Sequence, residues 1–180
     1  PIGLANLRIS GGIDFDFGSG AVQLLDPGQS VVLVSNFSAF TNRYSNWQAM
    51  HIAGDFSGSL DNDGDGFNLV DTDGNTLLSV DYSDGRGWPL SADGAGHSLV
   101  PLRFAGQGDG VLAYPGNWRA STYLDGSPGA SDPPQIRDLV LNEIVAHTDV
   151  VAPPHDSNDQ IELFNLGSGG VGLGDWYLSD

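Results

Sequence analysis

The feature that most constrains this chain is a regular succession of short apolar runs with strand character. Ile13, Phe15 and Phe17 alternate with acidic residues, which is the period of a strand with one buried face. Turn signals such as Asp73-Gly74-Asn75 separate the runs. This pattern predicts an all-β sandwich or barrel. The predicted strands are residues 4–9, 13–17, 31–34, 67–70, 76–82, 98–102, 139–145 and 160–164.

Two segments carry more specific structural predictions. The run Val31-Val32-Leu33-Val34 contains no polar residue, which is typical of a strand buried on both faces. The segment from Ser38 to Tyr44 is the one helical candidate, with Ser38 as its N-cap. We therefore expect at most one short helix in an otherwise all-β fold.

The charge of the chain excludes several classes of partner. The formal net charge is −17, from 23 acidic residues against six Arg and no Lys. Such a field repels phosphate backbones and anionic membrane surfaces, so we expect neither nucleic-acid binding nor membrane insertion. All acids except Glu143 and Glu162 are Asp, a residue that favours turns.

No familiar catalytic pattern occurs in the sequence. The absence of Cys excludes a thiol nucleophile and a thiolate zinc site. Neither Gly-x-Ser-x-Gly nor Ser-x-x-Lys is present. His51, His97, His147 and His155 have no metal-ligand spacing, and we expect His97 to be a packed or exposed side chain. These features predict that the chain is not an enzyme.

A boundary between two domains is predicted near residues 126–134, where small polar residues are followed by two prolines. We place a first domain at 1–130, a Pro-rich linker at 131–135 and a second segment at 136–180. The tail Val171-Gly-Leu-Gly-Asp-Trp-Tyr-Leu-Ser matches the head Ile2-Gly-Leu-Ala-Asn-Leu-Arg-Ile-Ser at its hydrophobic, Gly, Leu and Ser positions. This internal repeat implies that the chain spans about one repeat unit, cut partway through.

A set of motifs extends over both parts of the chain. Those of the second segment are Asn142-Glu143-Ile144, Ile161-Glu162-Leu163-Phe164-Asn165 and the stretch from Leu173 to Asp180. Those of the first domain are Leu25-Asp-Pro-Gly28, Phe56-Ser-Gly-Ser-Leu60, Trp88-Pro89, His97-Ser98-Leu99 and Trp118. In this combination the chain resembles the lamin-tail domain family, in the form found in bacterial exported proteins.

The resemblance implies an immunoglobulin-like β-sandwich that serves as an adhesion or architectural module in large extracellular proteins. It covers nearly the whole chain, but the order of the motifs differs from that of the family. Residues 1–130 correspond to a lamin-tail-like sandwich without its first strands. Residues 136–180 correspond to the first strands of a following repeat. The location that it implies is secreted, at a cell surface or in a matrix.

One acidic segment matches a metal-binding pattern. Residues 61–66, Asp-Asn-Asp-Gly-Asp-Gly, fit the first six positions of a calcium loop, where alternate oxygens converge on the ion. Position twelve is Thr72 instead of the bidentate Glu, and neighbouring aspartates are expected to substitute for it. The alternative is an ordinary acidic turn between strands. The predicted calcium ligands are Asp61, Asp63, Asp65, Asp71 and Asp73.

Two further groups of side chains have alternative interpretations. A second acidic group consists of Glu143, Asp149, Asp156, Asp159 and Glu162. Because Glu is unusual on strands, we expect a cross-strand or cap-like hydrogen bond there in preference to a metal site. The four tryptophans could stack on sugars, but sandwich cores also contain Trp, and we favour the core for Trp88 and Trp176.

The expected function is that of a non-enzymatic extracellular structural or adhesion module. The alternative is an accessory carbohydrate- or surface-binding domain of a larger secreted enzyme, with a polysaccharide as partner. Residues 136–180 could fold back into their own domain, belong to a second domain, or enter the slot of a neighbouring chain by strand addition. We favour the third arrangement, which predicts head-to-tail assembly of copies into a filament or surface array.

Overall fold

A computed structural model describes residues 1–102, 110–134, 138–146, 160–174 and Trp176. The chain divides into two compact units, Pro1–Pro133 and Pro134–Asp180. In the described residues the fold is all-β and sandwich-like, with thirteen strands in several sheets and one short α-helix. This confirms the predicted fold class.

The strands of the first unit are mostly short. They are β1 Ile2–Gly3, β2 Leu7–Gly11, β3 Ile13–Asp16, β4 Leu24–Leu25, β5 Val31–Val34, β6 His51–Asp55, β7 Ser57–Gly58, β8 Gly64–Asp71, β9 Thr76–Ser83, β10 Leu99–Pro101 and β11 Trp118–Ala120. The helix α1 spans Phe37–Arg43. Short 3-10 helices occur at Phe17–Ser19, Trp47–Ala49, Leu90–Ala92, Val111–Ala113 and Pro115–Asn117.

The main sheet has five strands in the order β7-β3-β2-β8-β9, all antiparallel. Its longest hairpin joins β8 to β9 through the predicted turn at residues 72–75. Gly74 adopts a φ of +85° in this turn, a conformation that L side chains rarely adopt. The turn residues therefore fix the register between the two longest strands of the unit.

Helix α1 connects β5 to β6, which run parallel to each other. A parallel pair requires a crossover connection, and α1 with the following turns supplies it. The N-cap is Asn36, whose Oδ1 accepts a hydrogen bond of 2.8 Å from the Ala39 N–H. The prediction of Ser38 as N-cap is wrong, because Ser38 already lies in the first turn of the helix.

The core of the first unit is small. Leu4, Phe17 and Ala53 form its buried centre, and partly buried residues such as Phe15 and Leu33 pack against them. Phe15 and Phe17 meet edge to face, with ring centroids 5.0 Å apart. The prediction that β5 is buried on both faces is wrong for this structure, since only Val34 of its four residues is buried.

The sequence missed some strands altogether. Strand β6 contains Gly54 and two polar residues, and β11 is only three residues long, so neither has a clear apolar period. β10 pairs with β11 in a separate two-stranded antiparallel sheet. Both missed strands are defined by their partners and not by local sequence.

The second unit contains one antiparallel ribbon in its described residues. Its strands are β12 Leu139–Val145 and β13 Gln160–Asn165, close to their predicted bounds. The register runs from Leu139↔Asn165 to Val145↔Gln160, with a shift between Leu141 and Glu143. Asn142 is thus the extra residue of a β-bulge.

Candidate functional site

The first predicted calcium ligands lie at the start of β8. The Asp61 carbonyl oxygen accepts a hydrogen bond of 2.7 Å from the Tyr82 hydroxyl. Asp65 lies in the strand itself, opposite Tyr82, and its Oδ1 accepts from the Gly66 N–H at 2.7 Å. The segment predicted as a calcium loop extends into β8, because residues 64–66 are already paired with β9. Burial, and then the charges of Asp65 and Asp61, raise the pKa of Tyr82.

The remaining predicted ligands lie at the opposite end of β8. Asp71 lies six positions after Asp65 along the extended strand, a span of about 20 Å. The Asp71 carboxylate accepts hydrogen bonds from the Asn75 side chain and from the Asn75 and Asp73 N–H groups. These bonds, the Asn75 side chain first, lower the pKa of Asp71. Asp71 therefore holds the hairpin turn, and it does not join Asp61, Asp63 and Asp65 in one group.

Within the described residues, no cluster of three or more His, Asp and Glu side chains is placed to hold a metal ion. Of the second acidic group, Asp149, Asp156 and Asp159 lie outside those residues, as do His147 and His155. Calcium binding by the predicted residues stays a prediction.

His97 and Ser121 form the most enclosed polar contact of the first unit. Ser121 is buried, and its hydroxyl donates to the Tyr123 carbonyl oxygen at 2.7 Å while accepting from the Ser98 N–H at 3.0 Å. The Nδ1 of His97 lies 2.8 Å from the Ser121 carbonyl oxygen. His97 is thus partly buried and hydrogen-bonded. The pair ties Ser98 beside β10 to the end of β11, and the Ser121 hydroxyl has no exposed position from which to attack a substrate.

The tryptophans follow the sequence prediction only in part. Trp88 is half-buried and packs on Trp118, with ring centroids 5.9 Å apart. The Trp118 Nε1–H donates to the Leu112 carbonyl oxygen at 3.0 Å. Trp47 packs edge to face on Phe37. The expectation that Trp176 is a core residue is wrong here, because it is 54% exposed and the described residues around it provide no further strand.

A predominantly apolar groove of about 450 Å³ lies between β5 and β10. Val32 and Leu33 line one side, and Leu99 and Val100 line the other. Among the described residues, β5 pairs with β6 alone and β10 with β11 alone. Each strand therefore has one edge without a ladder partner, and unpaired edges are what sheet proteins normally cover.

Helix α1 and the residue after it line this groove, and both are bonded to Asp125. Phe40 and Tyr44 line the groove from the helix, and their rings pack with centroids 4.6 Å apart. The Tyr44 hydroxyl donates to the Asp125 carbonyl oxygen at 2.6 Å, and Arg43 pairs with the Asp125 carboxylate. The hydrogen bond to Asp125 raises the pKa of Arg43. A second groove of about 470 Å³ adjoins on the other side of the same two aromatic residues.

The wall formed by residues 125–132 is fixed by an ion pair between Arg119 and Asp132. The Arg119 Nη1 lies 2.5 Å from the Asp132 Oδ1, and both side chains are largely removed from solvent. The Asp132 carboxylate also accepts from the Thr122 N–H and the Ser127 hydroxyl. Burial alone would raise the pKa of Asp132, but these hydrogen bonds together lower it.

The same arginine extends the first unit beyond its predicted end at residue 130. Arg119 Nη2 donates to the carbonyl oxygens of Asp132 and Pro133, both at 3.2 Å. Thr122 Oγ1 donates to the Pro133 carbonyl oxygen at 2.7 Å. Two residues of the predicted linker 131–135 are therefore held against β11.

The ribbon of the second unit has two unlike faces. Directly opposed residues in an antiparallel pair point to the same side, and successive residues alternate. One face, here called the apolar face, consists of Leu139, Leu141, Ile144, Ile161, Leu163 and Asn165. Leu141, Ile144, Ile161 and Leu163 are all among the exposed large hydrophobic residues of the molecule. A two-stranded ribbon with exposed apolar side chains is not stable in water by itself.

The other face, here called the acidic face, has two like charges at its centre. Glu143 and Glu162 lie directly opposite each other, an arrangement that is destabilising when both are ionised. Asn142, the bulge residue, donates to Glu162 Oε1 at 3.0 Å. This bond is the cross-strand hydrogen bond predicted for the strand glutamates. The remaining residues of this face are Val140, Val145, Gln160 and Phe164.

No protein-family model, curated protein or solved structure matches this chain. The described residues contain no helix that is long and apolar enough to cross a membrane. The groove and the ribbon are therefore the features of the structure that bear on its function.

Proposed function

We propose that this chain is a non-enzymatic structural module whose copies join head to tail. In this proposal the ribbon of one copy enters the β5–β10 groove of the next and completes its sheet. The contact uses two different surfaces, so it does not close on itself and propagates as a filament or array. The observation that carries the proposal is the presence, in one chain, of an apolar groove with two open edges and a ribbon with an exposed apolar face.

The exposure of β5 supports a missing cover on the first unit. Its four apolar residues are the composition of a strand buried on both faces. Val31 and Leu33 pack on the core, and Val32 and Leu33 also line the groove. Covering this groove would bury apolar surface, which stabilises the assembly by about 25 cal/mol for each Å² removed from water. It would also give the free edge of β5 a hydrogen-bonding partner.

The internal repeat supports a ribbon as the cover. Residues 171–179 repeat the pattern of residues 2–10, which include β1 and most of β2. The ribbon β12–β13 directly precedes the repeated pattern at residues 171–179. A ribbon of this kind is therefore the element expected beside the strands that follow it in the repeat.

The anchored linker supports a second copy as the source of the ribbon. Two hydrogen bonds hold the Pro133 carbonyl oxygen to the first unit, and Pro134 follows with its φ fixed by the ring. A chain that leaves its domain from a fixed point through consecutive prolines is stiff and extended. We favour delivery of the ribbon to a neighbouring copy over self-insertion, because a stiff Pro-Pro segment resists folding back. We place this assembly outside the cell, at a surface or in a matrix.

Two complementary variants of the full chain test the joint. Val32→Asp places a charge in the groove, and Leu163→Asp places one on the apolar face of the ribbon. We expect the unaltered chain to form long polymers in sedimentation velocity and each variant alone to be monomeric. An equimolar mixture should form dimers that do not grow. The Val32→Asp chain keeps an intact ribbon and the Leu163→Asp chain keeps an intact groove, so each pair of chains can form only one joint.

The matched control is Leu77→Asp, at an exposed position of β9 remote in sequence from both surfaces. It should polymerise like the unaltered chain. A monomeric unaltered chain at all concentrations would overturn head-to-tail assembly. Binding to a glycan panel, or ester turnover, by the monomeric variants would instead favour the alternative of an accessory carbohydrate-binding domain.

A further inference from the structure

The two faces of the ribbon differ enough to decide how it docks. Resting on the proposed function, we infer that the ribbon enters the groove by its apolar face alone. The acidic face then stays in solvent, on the outside of the completed sheet. This assigns the interaction surface and its orientation, which assembly by itself leaves open.

The alternation along β13 provides the first argument. Leu163 and Phe164 are neighbours and are similarly exposed, at 41% and 50%. Leu163 opposes Leu141, whereas Phe164 opposes Val140 on the face that carries both glutamates. Because the side-chain period is two, a strand that buries Leu163 in a groove must turn Phe164 away from it.

The charge of the groove provides the second argument. Its two charged lining residues are Asp125 and Asp132, both acidic. The bases beside it, Arg43 and Arg119, already pair with these two aspartates. The acidic face would therefore bring Glu143 and Glu162 to a rim of like charge whose basic groups, among the residues that the structure describes, are already paired. Such an arrangement disfavours docking by the acidic face.

The absence of native cysteine makes the orientation directly measurable. The single variants Leu163→Cys and Phe164→Cys of the full chain are labelled with a small thiol reagent above and below the concentration of assembly. We expect labelling of Leu163→Cys to slow by roughly 100-fold on assembly, since a buried thiol reacts only after the joint opens. Labelling of Phe164→Cys should change by less than about threefold, because an exposed thiol remains accessible.

The outcomes separate this inference from the function on which it rests. Strong protection of both thiols in polymers would overturn the single-face orientation and keep the assembly. Protection of Phe164→Cys alone would reverse the orientation. Rapid labelling of both thiols at every concentration, together with a monomeric unaltered chain, would overturn the assembly itself. Protection of Leu163→Cys in a monomeric chain would mean that the same face docks into the groove of its own chain. That result would contradict docking into a second copy.

Discussion

In the described residues, both units have strands with an alternating apolar pattern, but only the first unit buries apolar side chains. In Pro1–Pro133, residues such as Leu4, Phe17 and Val80 are buried. In the described residues of Pro134–Asp180, the apolar residues of β12 and β13 include no buried side chain, and Ile161 is more than half exposed. The difference is not one of sequence, because both parts contain alternating apolar strands.

What separates the units is the number of strands that share a core. A strand is stabilised by cross-strand pairs and by a buried face, and the second requires another layer. The first unit has that layer, although its groove remains open beside β5. The ribbon has only its own pairing. A correct strand pattern is therefore necessary for a sandwich, but a core forms only when two layers pack together.

The largest expected effect is a difference in amide hydrogen exchange between the units. In dilute monomer, amides of β12 and β13 should exchange with almost no protection, because a lone ribbon opens freely. Central amides of β2 and β8 should be protected by several orders of magnitude more, since they open only with the unit. Exchange measured by mass spectrometry on fragments of the chain would check this.

Raising the concentration should remove that difference if copies assemble. Ribbon amides would then gain protection close to that of β8, while the β8 amides stay unchanged. Equal protection of the ribbon at all concentrations would contradict the comparison, because it would mean that the ribbon already has a cover in the monomer.

The next effect concerns the Arg119–Asp132 pair, which fixes the groove wall. Asp132→Ala leaves a largely buried guanidinium without its partner, so we expect a loss of about 3–5 kcal/mol in the free energy of unfolding. Chemical denaturation of the monomeric Leu163→Asp background would measure it. Arg43→Ala breaks the exposed pair with Asp125 and should cost little, because solvent screens that pair. Equal effects of the two substitutions would contradict the assignment of Asp132 as the anchor.

The same pair should make the first unit sensitive to acid. The pKa of Asp132 is lowered in the folded state, so the unfolded state binds the proton first as pH falls. Its contribution is therefore present above the ordinary Asp pKa of about 3.9 and is lost as pH falls through the folded value. The difference between the unaltered chain and Asp132→Ala should narrow below about pH 4. A difference that does not depend on pH would assign the loss to packing alone.

The smallest effect is that of calcium. Asp61, Asp63 and Asp65 lie at one end of β8, apart from Asp71 and Asp73, and the described residues contain no metal-holding cluster of three acidic side chains, so we expect weak binding at most. Millimolar calcium should raise the melting temperature by about 3 °C, since an ion that binds only the folded state stabilises it. Asp63→Asn should abolish the rise, and Asp71→Asn should not. An unchanged melting temperature of the unaltered chain would contradict calcium binding by these residues.

The sequence alone located several strands whose signals are local, although the predicted strand at 4–9 matches β2 Leu7–Gly11 only in part. Strand β5 coincides with its predicted run, and β9, β12 and β13 depart from theirs by a residue at most. Alternation and turn residues produce these signals, and they act within a few positions of the chain. The same local chemistry misplaced the helix cap, because Asn36 and Ser38 are both good caps and only the backbone of the preceding strand decides between them.

The tertiary structure decided everything that joins distant residues. No local pattern indicates that β6 lies parallel to β5 or that Arg119 holds Asp132. These relations depend on which edges meet, and edges meet through contacts that are far apart in sequence. The run Val31–Val34 predicts a strand buried on both faces, whereas the structure leaves three of its four residues only partly buried, with Val32 and Leu33 lining a groove, because burial depends on elements that are distant in sequence.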